Sequence, residues 1–232
     1  MGVKIKATTS HIDPNLDLNR AKSFHLSIQV NLDEFSFAIL NLHEQKYIAL
    51  EHYDIINNSS YSNLAEQIDL IINKQKLLKQ NFVSTSVGIA HTFNTITPKA
   101  LYEKENGKDI LSFNHILLQN EIETRDWIQA IQAFNSYFIP DELERCLNKH
   151  FKNILWKHNS SIIIETLIHQ FKLQEGERIY ISIQNKSFDV IILENKHLKF
   201  FNSFSYRAAE DLIYYLLFTF EQLHLNPNQT PL

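Results

Sequence analysis

The chain has 232 residues and a formal net charge of −4, with 44% hydrophobic and 21% charged residues. These values fit a globular protein with a sizeable core. They give no electrostatic footprint for nucleic acid, and no apolar run approaches the ~20 residues that cross a bilayer, so no membrane insertion is expected. One cysteine, Cys146, excludes an internal disulfide framework, and with no apolar signal core in the opening MGVKIKATTS this points to a cytoplasmic protein. Four glycines, at 2, 88, 107 and 176, stand where average usage would give roughly 16. Loops that cradle phosphate through glycine therefore have few places to form.

In chain order, residues 1–23 are polar and aperiodic and read as a loose arm. Alternating β-branched and aromatic residues then predict strands at 26–31, 35–42 and 46–53. Ser62 or Asn63 is a candidate N-cap for an amphipathic helix carrying Leu64, Ile68, Ile71, Ile72 and Leu78. A strand near 84–90 follows, with a second extended piece over 91–96. Thr97-Pro98 has the form of a helix start, and Leu111–Leu118 has helical composition. Residues 127–139 read as one extended segment. Pro140 opens a helix rich in early acids, 154–158 is a short strand, and Ser160 or Ser161 is placed to cap a helix to Phe171. Strands at 179–184, 187–193 and 196–203 with polar turns at Asn185-Lys186 and Glu194-Asn195 lead into an apolar helix over 207–225.

The last unit repeats an earlier one. Residues 26–53 and 179–206 each hold three strands and then lead into a helix. Ser27-Ile28-Gln29 matches Ser182-Ile183-Gln184, and Phe35, Phe37, Ile39 and Leu40 match Phe188, Val190, Ile192 and Leu193. Two copies about 150 residues apart are too widely spaced for a solenoid and predict a duplicated two-lobe α/β protein with mixed sheets.

That layout resembles the actin-like ATPase superfamily, whose lobes each begin with a three-strand meander and a helix on a ribonuclease-H-like core. It is similar in particular to the pilus-assembly and secretion-associated members. The stretch LKFFNSFSYRAAEDLIYYLLFTFEQLHL, residues 198–225, resembles an uncharacterised Bacteroidota family known only as a domain of unknown function. After the loose arm over 1–23, the resemblance implies a first lobe with connecting elements over 24–172 and a second lobe over 173–232. That second lobe holds a meander and a helix but not the later strands, so it is expected to be incomplete. Active members carry an acidic, glycine-containing turn in each lobe that grips the nucleotide phosphates. Here the matching turns are Asn31-Leu32-Asp33-Glu34 and Asn185-Lys186-Ser187, without glycine. Any retained nucleotide site would use Asp33, Asn185, Lys186 and Ser187, with Mg-ATP as the ligand; the plainer reading is two solvated hairpin turns and no cofactor.

Other chemistry finds little support. A ribonuclease-H-type nuclease needs a carboxylate on the first strand, where this chain has Ser27 and Gln29. Eleven histidines include no HxH, HxxxH or HExxH spacing, and no metal site is expected. His150 and His158 read as surface or satisfied core groups, and Cys146 as a small hydrophobe with its thiol pKa raised by nearby acids. The helix 207–225 is apolar almost all round, which predicts a covered core helix. The sharper reading makes Tyr214, Tyr215 and Phe218 a surface for a protein partner or for self-association. The leading expectation is a non-catalytic actin-like interaction or scaffold protein with degenerate phosphate loops. The alternative is a nucleotide binder or weak ATPase working in the cleft between the lobes.

Overall fold

The computed structural model describes residues 6–56, 60–103, 107–113 and 121–226. Strands β2 (Phe24–Asn31), β3 (Glu34–Asn41) and β4 (Lys46–Asp54) form an antiparallel meander, and β5 (Ser84–Ile89) and β9 (Ile154–His158) add in parallel beside β2. The arm contributes β1 (Thr9–Ile12), which pairs antiparallel with β4, so the six-stranded order is β1-β4-β3-β2-β5-β9. Strict alternation decides the faces: Leu26, Ile28 and Val30, with Phe35, Phe37 and Ile39, are all buried on one side. They pack against helices α1 (Tyr61–Lys74) and α3 (Asp141–His150). Leu64, Ile68, Ile71 and Ile72 of α1 recur at helical spacing and supply its buried stripe.

Between β5 and β9 the chain inserts a three-stranded sheet of order β6-β8-β7, from β6 (Asn94–Pro98), β7 (Glu121–Ile128) and β8 (Ala133–Pro140), with α2 (Gly107–Ser112) beside it. Helix α4 (Asn159–Gln170) then leads to a second meander, β10 (Glu177–Ile183), β11 (Ser187–Glu194) and β12 (His197–Ser205), followed by α5 (Ala209–Gln222). Helix α4 lies between the units. Its Ile162 meets the first sheet at Gly88, while Ile164 and Ile168 pack with Ile191 and Leu193 of β11.

Several expectations change. The N-cap of α1 is Ser60, whose hydroxyl accepts the Asn63 N–H, rather than Ser62 or Asn63. Pro98 ends a strand and is followed by a short 3₁₀ turn, Lys99–Leu101, instead of opening a longer helix. The extended segment expected over 127–139 is a hairpin. It reverses through Gln132, which takes a left-handed φ of 51° that nothing in its residue type announces. The helix expected over 111–118 begins earlier, at Gly107, and 114–118 lie outside the described residues. Likewise Asn195-Lys196, both at positive φ, make the second turn of the last meander.

The two meander–helix units are both present. Their hairpins close on Asn31–Glu34 and around 184–187, and Phe35 does correspond to Phe188. The first strands align two residues away from the sequence match, with Leu26, Ile28 and Val30 answering Ile179, Ile181 and Ile183. An even shift leaves every side chain on its own face, which is why the strand pattern concealed it.

Candidate functional site

The place to look in such a fold is the carboxyl ends of the parallel strands, at the junction of the two units. Both predicted turns meet there. The Asn185 Nδ2 donates to Asp33 Oδ2 at 2.5 Å, and Asn31 Nδ2 donates to Gln184 Oε1 at 3.2 Å. Each turn is also held from within. The Asn31 side chain accepts the Leu32 N–H at 2.6 Å, and the Asp33 carbonyl accepts the Ile55 N–H at 2.9 Å. On the other side the Ser187 hydroxyl donates to Gln184 Oε1 at 3.3 Å, and the Tyr206 hydroxyl donates to the Gln184 carbonyl at 2.6 Å. Asp33 and Asn185 are thus brought together, Ser187 faces its own turn, and Lys186 is exposed with its carbonyl tied to the Tyr206 N–H. Burial raises the neighbouring Glu34 carboxyl, and the charges of Asp33 and Asp54 add to that against the pull of His52. Among the described residues no three His, Cys, Asp or Glu side chains converge as metal ligands.

Below the turns lies a buried polar cluster that residue spacing did not reveal. His158, at the end of β9, caps α4 in place of Ser160 or Ser161: its Nδ1 accepts the Ser160 N–H at 3.2 Å. Its Nε2 sits 3.1 Å from the His91 carbonyl, a contact only a protonated Nε2 can make, so Nδ1 is the acceptor. The Ser160 hydroxyl, 2.7 Å from that Nδ1, accepts from Asn135 at 3.0 Å and from Asn94 at 3.1 Å. Asn135 also donates to the Ser161 hydroxyl at 2.8 Å. Asp126 accepts the His158 backbone N–H at 2.8 Å and the Tyr137 hydroxyl at 3.1 Å. Desolvation drives His158 well below the usual imidazole range and raises the Asp126 carboxyl.

Serine, histidine and aspartate in one cluster invite a hydrolase reading, and the geometry denies it. Asp126 binds the main chain of His158 and not its ring, so it does not orient the imidazole. Ser160 has no exposed surface and its oxygen already carries two amide donors. These groups join β6, β7, β8, β9 and α4 to each other. Only their burial distinguishes them from surface polar residues, and burial is a tertiary property.

Two hollows border the junction. One of about 460 Å³ lies between β6 and β12, lined by Thr92, Asn94, Thr95, Phe201, Asn202 and Ser203 among others. Another of about 500 Å³ lies on the outer face of the six-stranded sheet beside α4, where Ser27, Gln29, Ser36 and Ser86 present hydroxyls and an amide. Its carboxylate, Glu165, is paired with Lys157 at 3.6 Å. Cys146 donates to the Ala65 carbonyl at 3.3 Å, and burial with the adjacent Asp69 pushes its thiol up to about 11, which disfavours the thiolate.

The apolar helix departs from the core-helix expectation. Leu212, Tyr215, Leu216 and Phe220 of α5 pack on β10, β11 and β12, with Tyr215 stacked on Phe204 at 5.0 Å. Among the described residues the opposite face is open: Ile213, Tyr214, Leu217 and Phe218 are 55, 62, 53 and 46% exposed, and Tyr214 stacks on Phe218. Of the three residues singled out for a partner surface, Tyr214 and Phe218 lie on this face and Tyr215 turns inward.

Fold and junction together define a two-unit protein of the actin-like class. The chain belongs to the family described as Protein of unknown function (DUF3822), whose model matches residues 13–232. A Bacteroides thetaiotaomicron protein with an actin-like ATPase fold and unknown function is similar over 91% of this chain and 81% of its own, at 25% identity and a TM-score of 0.85. A chain of a PilM–PilN type IV pilus biogenesis complex is similar over 85% of this chain and 66% of its own, at 9% identity and a TM-score of 0.49. An exopolyphosphatase from Cytophaga hutchinsonii is similar over 83% and 53%, at 10% identity and a TM-score of 0.40. No curated protein matches. No helix among the described residues is long and apolar enough to cross a membrane.

Proposed function

We propose that the chain is a cytoplasmic interaction or scaffold module of actin-like fold that does not turn over nucleotide. One observation carries the reading: Asp33 and Asn31 of the first turn bond directly to Asn185 and Gln184 of the second, across the gap where phosphates would be gripped. A phosphate would have to break both contacts. It would then find only Lys186 and the backbone of turns that lack glycine for close approach. The open row on α5 supports a protein partner, because a contiguous exposed apolar strip on a folded domain marks interaction surface.

The test is thermal unfolding of the whole chain with and without millimolar Mg-ATP. A ligand at a hundredfold excess over its Kd stabilises the fold by about 2.7 kcal/mol. No shift is expected. A rise of several degrees, abolished by Asp33→Ala, would establish the nucleotide-binding alternative instead. Partner binding is expected to weaken in Phe218→Glu, with the melting temperature held.

A further inference from the structure

The hollow of about 500 Å³ on the outer face of the six-stranded sheet is built from β2, β3, β4, β5, β9 and α4. Its floor includes Gly88, one of four glycines in the chain and set inside a strand that is paired on both sides. Glycine weakens a strand interior, and it often stands there where a ligand or another backbone approaches closely. Packing does not demand it at this position. A Cβ added at 88 would meet Ile162 Cδ1 at 3.5 Å and the Ile28 carbonyl oxygen at 3.7 Å, both ordinary contacts. Its absence leaves that space to the hollow.

The polar lining has a direction of its own. His52 Nε2 bonds Asp54 Oδ1 at 3.1 Å, and a carboxylate only accepts, so in the neutral ring Nδ1 is bare and takes the Ser36 hydroxyl proton at 2.8 Å. Thr166 gives its proton to the Ile162 carbonyl at 2.7 Å, and the Gln29 amide donates to the Glu34 carboxylate. Ser36, Thr166 and Gln29 therefore turn oxygen lone pairs toward the hollow. Among the described residues its charged lining is one pair, Lys157 with Glu165 at 3.6 Å. Leu50, Leu155 and Ile162 stand exposed on its walls.

We propose that this hollow binds an uncharged, polyhydroxylated small molecule, the chemistry of a cyclic sugar or an inositol. Such a molecule brings the O–H donors that the three oxygens call for, lays its C–H face on Leu50, Leu155 and Ile162, and needs no counter-charge. A phosphate or carboxylate would set acceptors against acceptors beside the Glu165 carboxylate, so the lining selects against anions. The site goes beyond the interaction-module reading and stands apart from the contact between the two turns.

Methyl NMR of the full chain tests this, with glucose, galactose, mannose and myo-inositol each titrated at a pH above the ordinary imidazole range. At least one of them is expected to move the methyl signals of Leu50, Leu155 and Ile162 together and saturably, with a Kd of about 1 mM or tighter. Site-specific shifts are the readout because sugars also stabilise proteins by exclusion from the surface. Thr166→Val, which keeps the shape and removes the oxygen, should weaken that Kd about three- to tenfold. Gly88→Ala should raise the melting temperature of the free chain and weaken the Kd as well, the pairing of effects that marks a glycine serving a ligand and not the packing. No saturable shift with any of the four overturns the proposal. So does binding that both variants leave unchanged. Tighter binding of inorganic phosphate at the same methyl groups would overturn it in favour of an anion.

Discussion

At His158 the chain places an imidazole with almost no exposed surface, donating from Nε2 and accepting at Nδ1, which requires the neutral ring. The half-buried His25 is also shifted down by desolvation. Both rings have folded values below the ordinary 6.5, so the unfolded chain takes up protons first as pH falls. The stability they support is present above about pH 6.5 and declines below it. Asp126, Asp189 and Glu34, raised by burial, act in the opposite direction from the ordinary carboxylate value of about 4 upward, because the fold holds their protons more tightly. Urea unfolding between pH 7 and 5 should therefore show a declining midpoint. In His158→Asn, where the amide oxygen can keep the cap on Ser160, the midpoint should be lower at pH 7 and the decline shallower. At the turns, a double-mutant cycle on Asp33→Ala and Asn185→Ala should give a coupling of about 1 kcal/mol or less, as for a solvent-exposed hydrogen bond.

Among the elements, α5 separates two kinds of apolar residue that look alike in the sequence. Phe220 is 5% exposed and packs under the last meander, so Phe220→Ala should cost about 3–5 kcal/mol in denaturant unfolding. Leu217→Glu, on the open face, should move stability by no more than about 0.5 kcal/mol. The run LIYYLLFTF reads as buried on all sides because periodicity reports which residues are apolar and not whether anything covers them. Strands were more legible. The alternation in LSIQV and FSFAI located β2 and β3 to within two residues. The hairpin of β7 and β8 was missed because its turn uses Gln129–Ile131 and Gln132, residues with no turn chemistry of their own. In a chain this poor in glycine, positive φ falls to Gln45, Gln132, Asn153, Asn195, Lys196 and His224, and half of those positions carry no signal in residue type.

For the molecule as a whole, the repeat was legible because each copy pairs its strands locally, and the positions of Asp33 and of residues 185–187 at one junction followed from the repeat. The polar cluster of Asp126, His158, Ser160 and Asn135 did not follow. It is assembled from β6, β7, β8, β9 and α4, and no single stretch of residues carries its pattern. The mutual contact of the two turns is the ground on which the proposed scaffold reading stands.

Helix α4 has one further consequence. Its Ile162 rests on the first sheet while Ile164 and Ile168 complete the core beneath β11, so neither unit owns a full set of packed neighbours without it. Melting either unit would strip one side of that helix and expose apolar surface belonging to the other. The two halves should therefore unfold in a single calorimetric transition, with van't Hoff and calorimetric enthalpies equal at a protein concentration where the association state is fixed. Replacing Ile164 with Ala should split that transition in two by cutting the shared core while leaving both sheets intact. A chain built from two copies of one pattern would then owe its cooperativity to a helix that belongs to neither copy.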